Sequence, residues 1–146
     1  VIREATVEDL PHLLQFVREY HQFERVDLDE GERQVAVRTL LGDKALGRIW
    51  LVYVDEVPVG YLALCFGYSI EFAGRDATID EFYISPAYRG QGLGRQVLGY
   101  IKEEARKLNL KALHLEVARG NTTAQRLYER VDFAPREKYM LMSLYL

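Results

Sequence analysis

Apolar residues change their spacing several times along the chain, and each change marks an element. "VIREA" opens as a strand. Thr6 and Asp9 then make a capping box ahead of Leu10, Leu13, Leu14 and Val17, which recur at helical spacing. Asp29 and Glu32 form a second such start before a helix carrying Val35, Leu40 and Leu41. "IWLVYV" (49–54) is unbroken apolar sequence, as expected of a strand buried on both faces. "DEVP" reads as a turn and "VGYLALCFGY" (59–68) as the second arm of a hairpin. "ATIDEFYI" (77–84) is a further strand, closed by Pro86. Leu93, Val97, Ile101, Ala105 and Leu108 line up as one helical stripe. "ALHLEV" (112–117) is a strand, Asn121 begins a helix bearing Ala124, Leu127, Tyr128 and Val131, and "KYMLMSLYL" is the last strand.

The order β-α-α-β-β-β-α-β-α-β predicts an α/β protein with a mixed sheet and helices on both faces. The hairpins run antiparallel. The strand–helix–strand segment 77–117 requires a parallel pair with a right-handed crossover.

Composition narrows the function classes. A length of 146 residues predicts a single domain spanning 1–146. The net charge of −3 argues against a general nucleic-acid binder. Cys65 is the only cysteine, so no intramolecular disulfide forms, and a reducing, cytoplasmic setting is expected. No apolar run approaches the ~18 residues of a membrane span and no signal-peptide pattern is visible, so no membrane association is expected. His12, His21 and Cys65 lack metal-ligand spacing, and no metal is expected.

The chemistry concentrates in "YISPAYRGQGLGRQVLG" (83–99), where Gly90, Gly92 and Gly94 lie between Arg89 and Arg95. The loop follows a strand and opens a helix, whose first N–H groups lack helical partners and whose dipole is positive there. Glycines admit close approach and unusual dihedrals, so the stretch is a diphosphate cradle. It is not G-x-G-x-x-G, because Arg95 or Val97 falls where the third glycine belongs. Nor is it a P-loop, which needs Gly-Lys-Ser/Thr.

The spacing that fits is R-x-x-G-x-G, at Arg89, Gly92 and Gly94. With it, "IDEFYISPAYRGQGLG" and "NTTAQRLYERVDF" resemble the two signature segments of the GNAT superfamily of acyl-CoA-dependent N-acyltransferases. The resemblance is strong over about 77–133, and the nearest overall likeness is to the polyamine and diamine acetyltransferase branch, with only a loose match in the acceptor regions. One departure is Asp132, which stands where the family has glycine before Phe133.

The resemblance implies a GNAT-like mixed sheet of six to seven strands and acetyl-CoA as cosubstrate. It implies that the strands 77–84 and 112–117 splay at their C-terminal ends. The strand end Phe82, Tyr83 and Ile84 would hold the pantetheine arm, through backbone groups of Phe82 and Ile84. Arg89, Gly90, Gln91, Gly92, Leu93, Gly94 and Arg95 would hold the pyrophosphate. Asn121 would cap its helix and also meet the cofactor, and Tyr128 would touch the CoA sulfur as general acid.

Transfer to an amine also needs a base, because an alkylammonium has a pKa of about 10. Asp80 and Glu81 are the candidates, polar residues inside an apolar strand. As consecutive residues they should point to opposite faces, Glu81 with Tyr83 and Asp80 with Phe82 and Ile84. Glu81 is the first candidate for base or amine anchor and Asp80 the second. Tyr20, Glu24 and Tyr68, with Glu81, are candidate contacts for a cationic acceptor. His114 reads as a hydrogen-bonded strand histidine, and Cys65 as inert.

The expected function is acetyl-CoA-dependent acetylation of a primary amine, of a small molecule or peptide, by direct attack on the thioester. The alternative is a non-catalytic acyl-CoA-binding or sensing domain. The apolar "KYMLMSLYL" edge further suggests a homodimer.

Overall fold

A computed structural model describes residues 1–146. The elements in chain order are β1 (Ile2–Glu4), α1 (Leu10–Glu24), α2 (Glu30–Gly42), β2 (Gly47–Val54), β3 (Val57–Ser69), β4 (Gly74–Ile84), α3 (Leu93–Lys107), β5 (Leu113–His114) and α4 (Thr122–Arg130). The chain forms two compact units, Val1–Glu116 and Val117–Leu146.

Local signals set most boundaries. Asp9 accepts from the Thr6 N–H at 2.8 Å just before α1, and Asp29 accepts from the Glu32 N–H at 3.3 Å at the start of α2. The β2–β3 turn is made by Asp55 and Glu56, both with positive φ (48° and 65°), the geometry of a tight hairpin. On α2 the inward residue is Val37, with Leu40 and Leu41 half-buried, whereas Val35 faces solvent.

The five strands lie in the order β1-β2-β3-β4-β5, so the sheet has fewer strands than the expected six to seven. Neighbours are antiparallel except β4 and β5, which pair parallel through Ala77↔Leu113 and Thr78↔His114. One face carries Ile49, Leu51, Tyr61, Ala63 and Tyr83 against Leu13, Leu14, Phe16 and Val17 of α1 and Val37 of α2. Trp50, Val52, Leu62 and Leu64 alternate onto the opposite face and are buried too. So is the α3 stripe Val97, Leu98, Ile101 and Ala105.

Two expectations change here. "KYMLMSLYL" forms no strand: Met140, Leu141, Met142, Leu144, Tyr145 and Leu146 are exposed. An apolar run signals a tendency to be covered, but a strand exists only where a neighbour completes its ladder. The predicted strand 112–117 shrinks to Leu113–His114. The reason lies in β4, where Ala63 pairs with Glu81 but the next β3 residue, Leu64, pairs with Ile79. Asp80 is therefore the extra residue of a β-bulge, and a bulge bends its strand. The parallel ladder ends two residues before it, leaving the rest of that β4 edge uncovered by β5.

Candidate active site

The bulge also changes where the carboxylates point. Strict alternation would send Asp80 and Glu81 to opposite faces, and the extra residue removes that alternation. Glu81 sits on the α1 side and is held at both oxygens. Tyr61 donates to Oε1 at 2.7 Å and His21 Nε2 lies 2.5 Å from Oε2. His21 is buried at 5% exposure on α1, and Tyr61 at 1% on β3. Burial first, then the charge of Glu81, pushes the Tyr61 hydroxyl far up, so it remains a proton donor in this bond.

Asp80 is exposed, with no hydrogen bond that ties its carboxyl. Its pKa is nonetheless raised. Desolvation by the surrounding protein comes first, then Glu81, with a smaller contribution from Glu116 and an opposing one from His21. The side chain is open to solvent, so this desolvation comes from crowding on one side rather than from enclosure. Asp80 and Glu81 both act on the Cys65 thiol, which desolvation and those charges push up to about 11. Cys65 is half-buried and stays a thiol at neutral pH.

Aromatic rings wall this centre. Tyr20 meets Tyr61 and Tyr83 edge-on at 6.5 and 6.1 Å. Tyr83 donates to Glu19 at 3.2 Å, and desolvation followed by Glu19 raises its hydroxyl. Tyr20 thus packs against Tyr61 and His21, the two partners of Glu81. Glu24 is the exposed last residue of α1, and Tyr68 lies seven positions along β3 from Tyr61. At ~3.3 Å per residue that is roughly 23 Å away, so Tyr68 is not part of this centre. His21 and Tyr61 carry no motif and escaped the sequence reading. The one available signal was phase, because His21 continues the stripe Leu13, Leu14 and Val17 by one more helical turn onto the buried side.

The glycine loop is built differently. Gly90 and Gly92 have φ of 74° and 81°, left-handed values that other residues rarely adopt. Nothing lies within 4 Å of where a Cβ would stand on either. Gly94 is inside α3 and needs no such dihedral. Helical bonding begins at Gln96 N to Gly92 O, 3.2 Å, so the N–H groups of Leu93, Gly94 and Arg95 have no helical acceptor. The Leu93 side chain is buried and contributes only its backbone, while Gln91 and Arg95 are exposed.

Arg89 has a further role. Its Nε donates to Ile84 O at 2.6 Å, and its guanidinium lies 5.4 Å from the centre of the Tyr83 ring and 5.9 Å from that of Phe23. The Ile84 carbonyl, expected to await a ligand, already has this donor because the Pro86–Tyr88 turn folds Arg89 back. Ser85 N donates to Val59 O toward β3, so alternation directs the backbone of Phe82 to the other edge, beyond the end of the β5 ladder.

In the second unit, the Asn121 side chain accepts from Ala124 N at 3.1 Å as the cap of α4. Tyr128 is half-buried, with its ring edge-on to Phe133 at 5.9 Å. Asp132 has φ 78°, the conformation in which the family's glycine is free of strain. His114 Nε2 lies 3.1 Å from Asp76 Oδ2, a hydrogen-bonded strand histidine.

Residues 10–133 match the acetyltransferase (GNAT) family. The chain belongs to that family. It is 28% identical over 138 residues to the thialysine N-epsilon-acetyltransferase of Bos taurus, covering 88% of this chain and 81% of that one. An integron cassette protein from the mobile metagenome of Cole Harbour Salt Marsh superposes with a TM-score of 0.88 at 32% identity, over 99% of this chain and 90% of that one. A predicted acetyltransferase from Clostridium acetobutylicum, solved with acetyl-CoA, shares the fold at a TM-score of 0.79 and 17% identity, over 98% and 95% of the two chains. This GNAT protein is an acetyl-CoA-dependent N-acetyltransferase. Its loop fits the cosubstrate: the open space in front of Gly90 and Gly92 is what a diphosphate held by backbone N–H groups occupies.

Proposed function

We propose that this N-acetyltransferase acts on the primary amine of a small cationic acceptor, with Asp80 as the general base. Bound acetyl-CoA supplies the acetyl group as a thioester. The observation that carries the reading is the pair on the β4 bulge. Glu81 is fixed by Tyr61 and His21, while Asp80 beside it is solvent-accessible and has a raised pKa. A carboxylate with a raised pKa is a stronger base, better matched to an ammonium. Asp80 removes the amine proton, directly or through water, and Glu81 holds the cation nearby. Acidic and aromatic side chains on this side (Glu19, Tyr20, Glu24) favour a cation. The family resemblance supports Tyr128 as the donor that protonates the departing sulfur, and Asn121, Phe82 and residues 89–95 as the cosubstrate contacts.

The test is thiol release from acetyl-CoA across thialysine, lysine, diamines, polyamines and peptides with free N-termini. Thialysine, diamines or polyamines should give the highest kcat/KM. A peptide-only response would overturn the small-molecule acceptor. The exposed apolar run 139–146 supports a homodimer as a further part of this reading, checked by light scattering at micromolar concentration. A cytosolic setting fits the lone reduced Cys65 and is checked by fractionation.

A further inference from the structure

Behind Glu81 a chain of side chains leads out of the centre. Arg33 of α2 donates from Nε to His21 Nδ1 at 3.1 Å. An arginine has no acceptor, so Nδ1 must present its lone pair. The single proton of the ring then sits on Nε2 and is donated to Glu81 Oε2. Arg33 itself is held from the far side. Its Nη1 donates to Glu30 Oε2 at 2.6 Å, and Arg18 Nε donates to Oε1 of the same carboxylate at 2.6 Å. The Arg33 side chain is only 12% exposed, so this is a packed contact and not a loose surface pair.

We propose that Arg33 is a positioning residue for acetyl transfer. It locks His21 in the Nε2–H form and so keeps Glu81 a doubly held neighbour of Asp80. This rests on the assignment of Asp80 as base. The physical logic is that of tautomer control. A ring nitrogen occupied by a strong donor cannot take a proton, so His21 cannot become a cation beside the two carboxylates. A cationic His21 would offset the negative charge of Glu81 and weaken Asp80 as a base. The charged and titratable groups that face the pair are Arg33 from α2, His21 and Tyr20 from α1, Tyr61 and Cys65 from β3, and Glu116.

The experiment uses the full chain labelled with ¹⁵N-histidine. Long-range ¹H–¹⁵N spectra at pH 7.5 separate the ring forms of His12, His21 and His114, and His21→Gln identifies the signal. His21 should show a protonated Nε2 and an unprotonated Nδ1. Arg33→Met should shift Nδ1 toward the protonated form and lower kcat about tenfold, the scale of one lost positioning hydrogen bond. Arg33→Lys, which keeps a donor, should recover most of both. In a His21→Gln background, where an amide donor to Glu81 has no tautomer to lose, Arg33→Met should no longer lower kcat. A wild-type ring protonated at Nδ1, or an Arg33→Met spectrum identical to wild type, overturns the lock. Full activity in Asp80→Asn instead overturns the base assignment, and with it the catalytic half of the inference, while the ring spectra still report on the lock.

Discussion

The loop 89–95 and the centre around Glu81 are built in opposite ways. The loop presents backbone. Its glycines take dihedrals of 74° and 81°, its residues are largely exposed, and the donors it offers are the first N–H groups of α3. The Glu81 centre is built of side chains. It draws His21, Tyr61 and Arg33 from α1, β3 and α2, across sequence separations of 60 and 20 residues for the two direct partners of Glu81. A backbone site needs only residues that permit a conformation, so it tolerates exposure. A side-chain site needs its partners locked by packing, so it is buried. The difference would suit the tasks proposed for them, a cradle for a constant cosubstrate and a centre that sets proton affinities for a particular amine.

If the two regions are separable, damage to one should spare the other. The largest effect is expected at the carboxylate. Asp80→Asn should lower kcat by about 10²- to 10⁴-fold, the range for a lost general base, and leave the calorimetric affinity for CoA unchanged. Tyr128→Phe should cost about 10²-fold in kcat with the same unchanged affinity. Loss of CoA binding in Asp80→Asn would show that the regions are coupled.

Next is the reverse experiment. Gly92→Val forces a branched side chain into a left-handed dihedral and into the open space in front of the loop. CoA affinity should fall about tenfold or more, with the His21 ring spectrum unaltered. Unchanged affinity in a folded variant would remove the loop from the cosubstrate site.

A smaller effect concerns stability and pH. The folded protein raises the Asp80 pKa, so folding favours the protonated carboxyl. That contribution is present below the unfolded carboxyl value of ~3.9 and is lost as pH rises through the folded value. Asp80→Asn should therefore raise Tm at pH 7 and not at pH 3.5, measured by thermal unfolding. An equal shift at both would mean that the carboxyl is not perturbed.

The smallest effect isolates local backbone preference. Asp132→Gly relieves a left-handed non-glycine residue after α4 and should stabilise by roughly 0.5–1 kcal/mol, with kcat unchanged. A loss of stability would mean that the Asp132 side chain contributes more than its dihedral costs.

Legibility followed the same division. The capped starts of α1 and α2, the 55–56 turn and the stripe of α3 were readable because each is decided by residues within a few positions of one another. The glycine loop was readable for the same reason, and so was Asn121 as a cap. The C-terminal strand was misread because apolar content does not supply a pairing partner. The pair Asp80 and Glu81 was found, but its geometry was misread, since a bulge is a property of two strands in register and not of one. Tyr68 stands apart from Tyr61 along β3, a separation set by position on the strand and not by residue type.

By itself the sequence determined the order of elements, the glycine loop ahead of α3 and the presence of two carboxylates in an apolar strand. These depend on local dihedral preference and on periodicity, which the chain carries wherever it goes. Tertiary structure decided which carboxylate is held and which is free, the bulge that separates β4 from β5, and the line from Glu81 through His21 to Arg33. Those outcomes depend on desolvation and on hydrogen bonds between residues far apart in the chain, and such energies exist only once packing has brought the groups together.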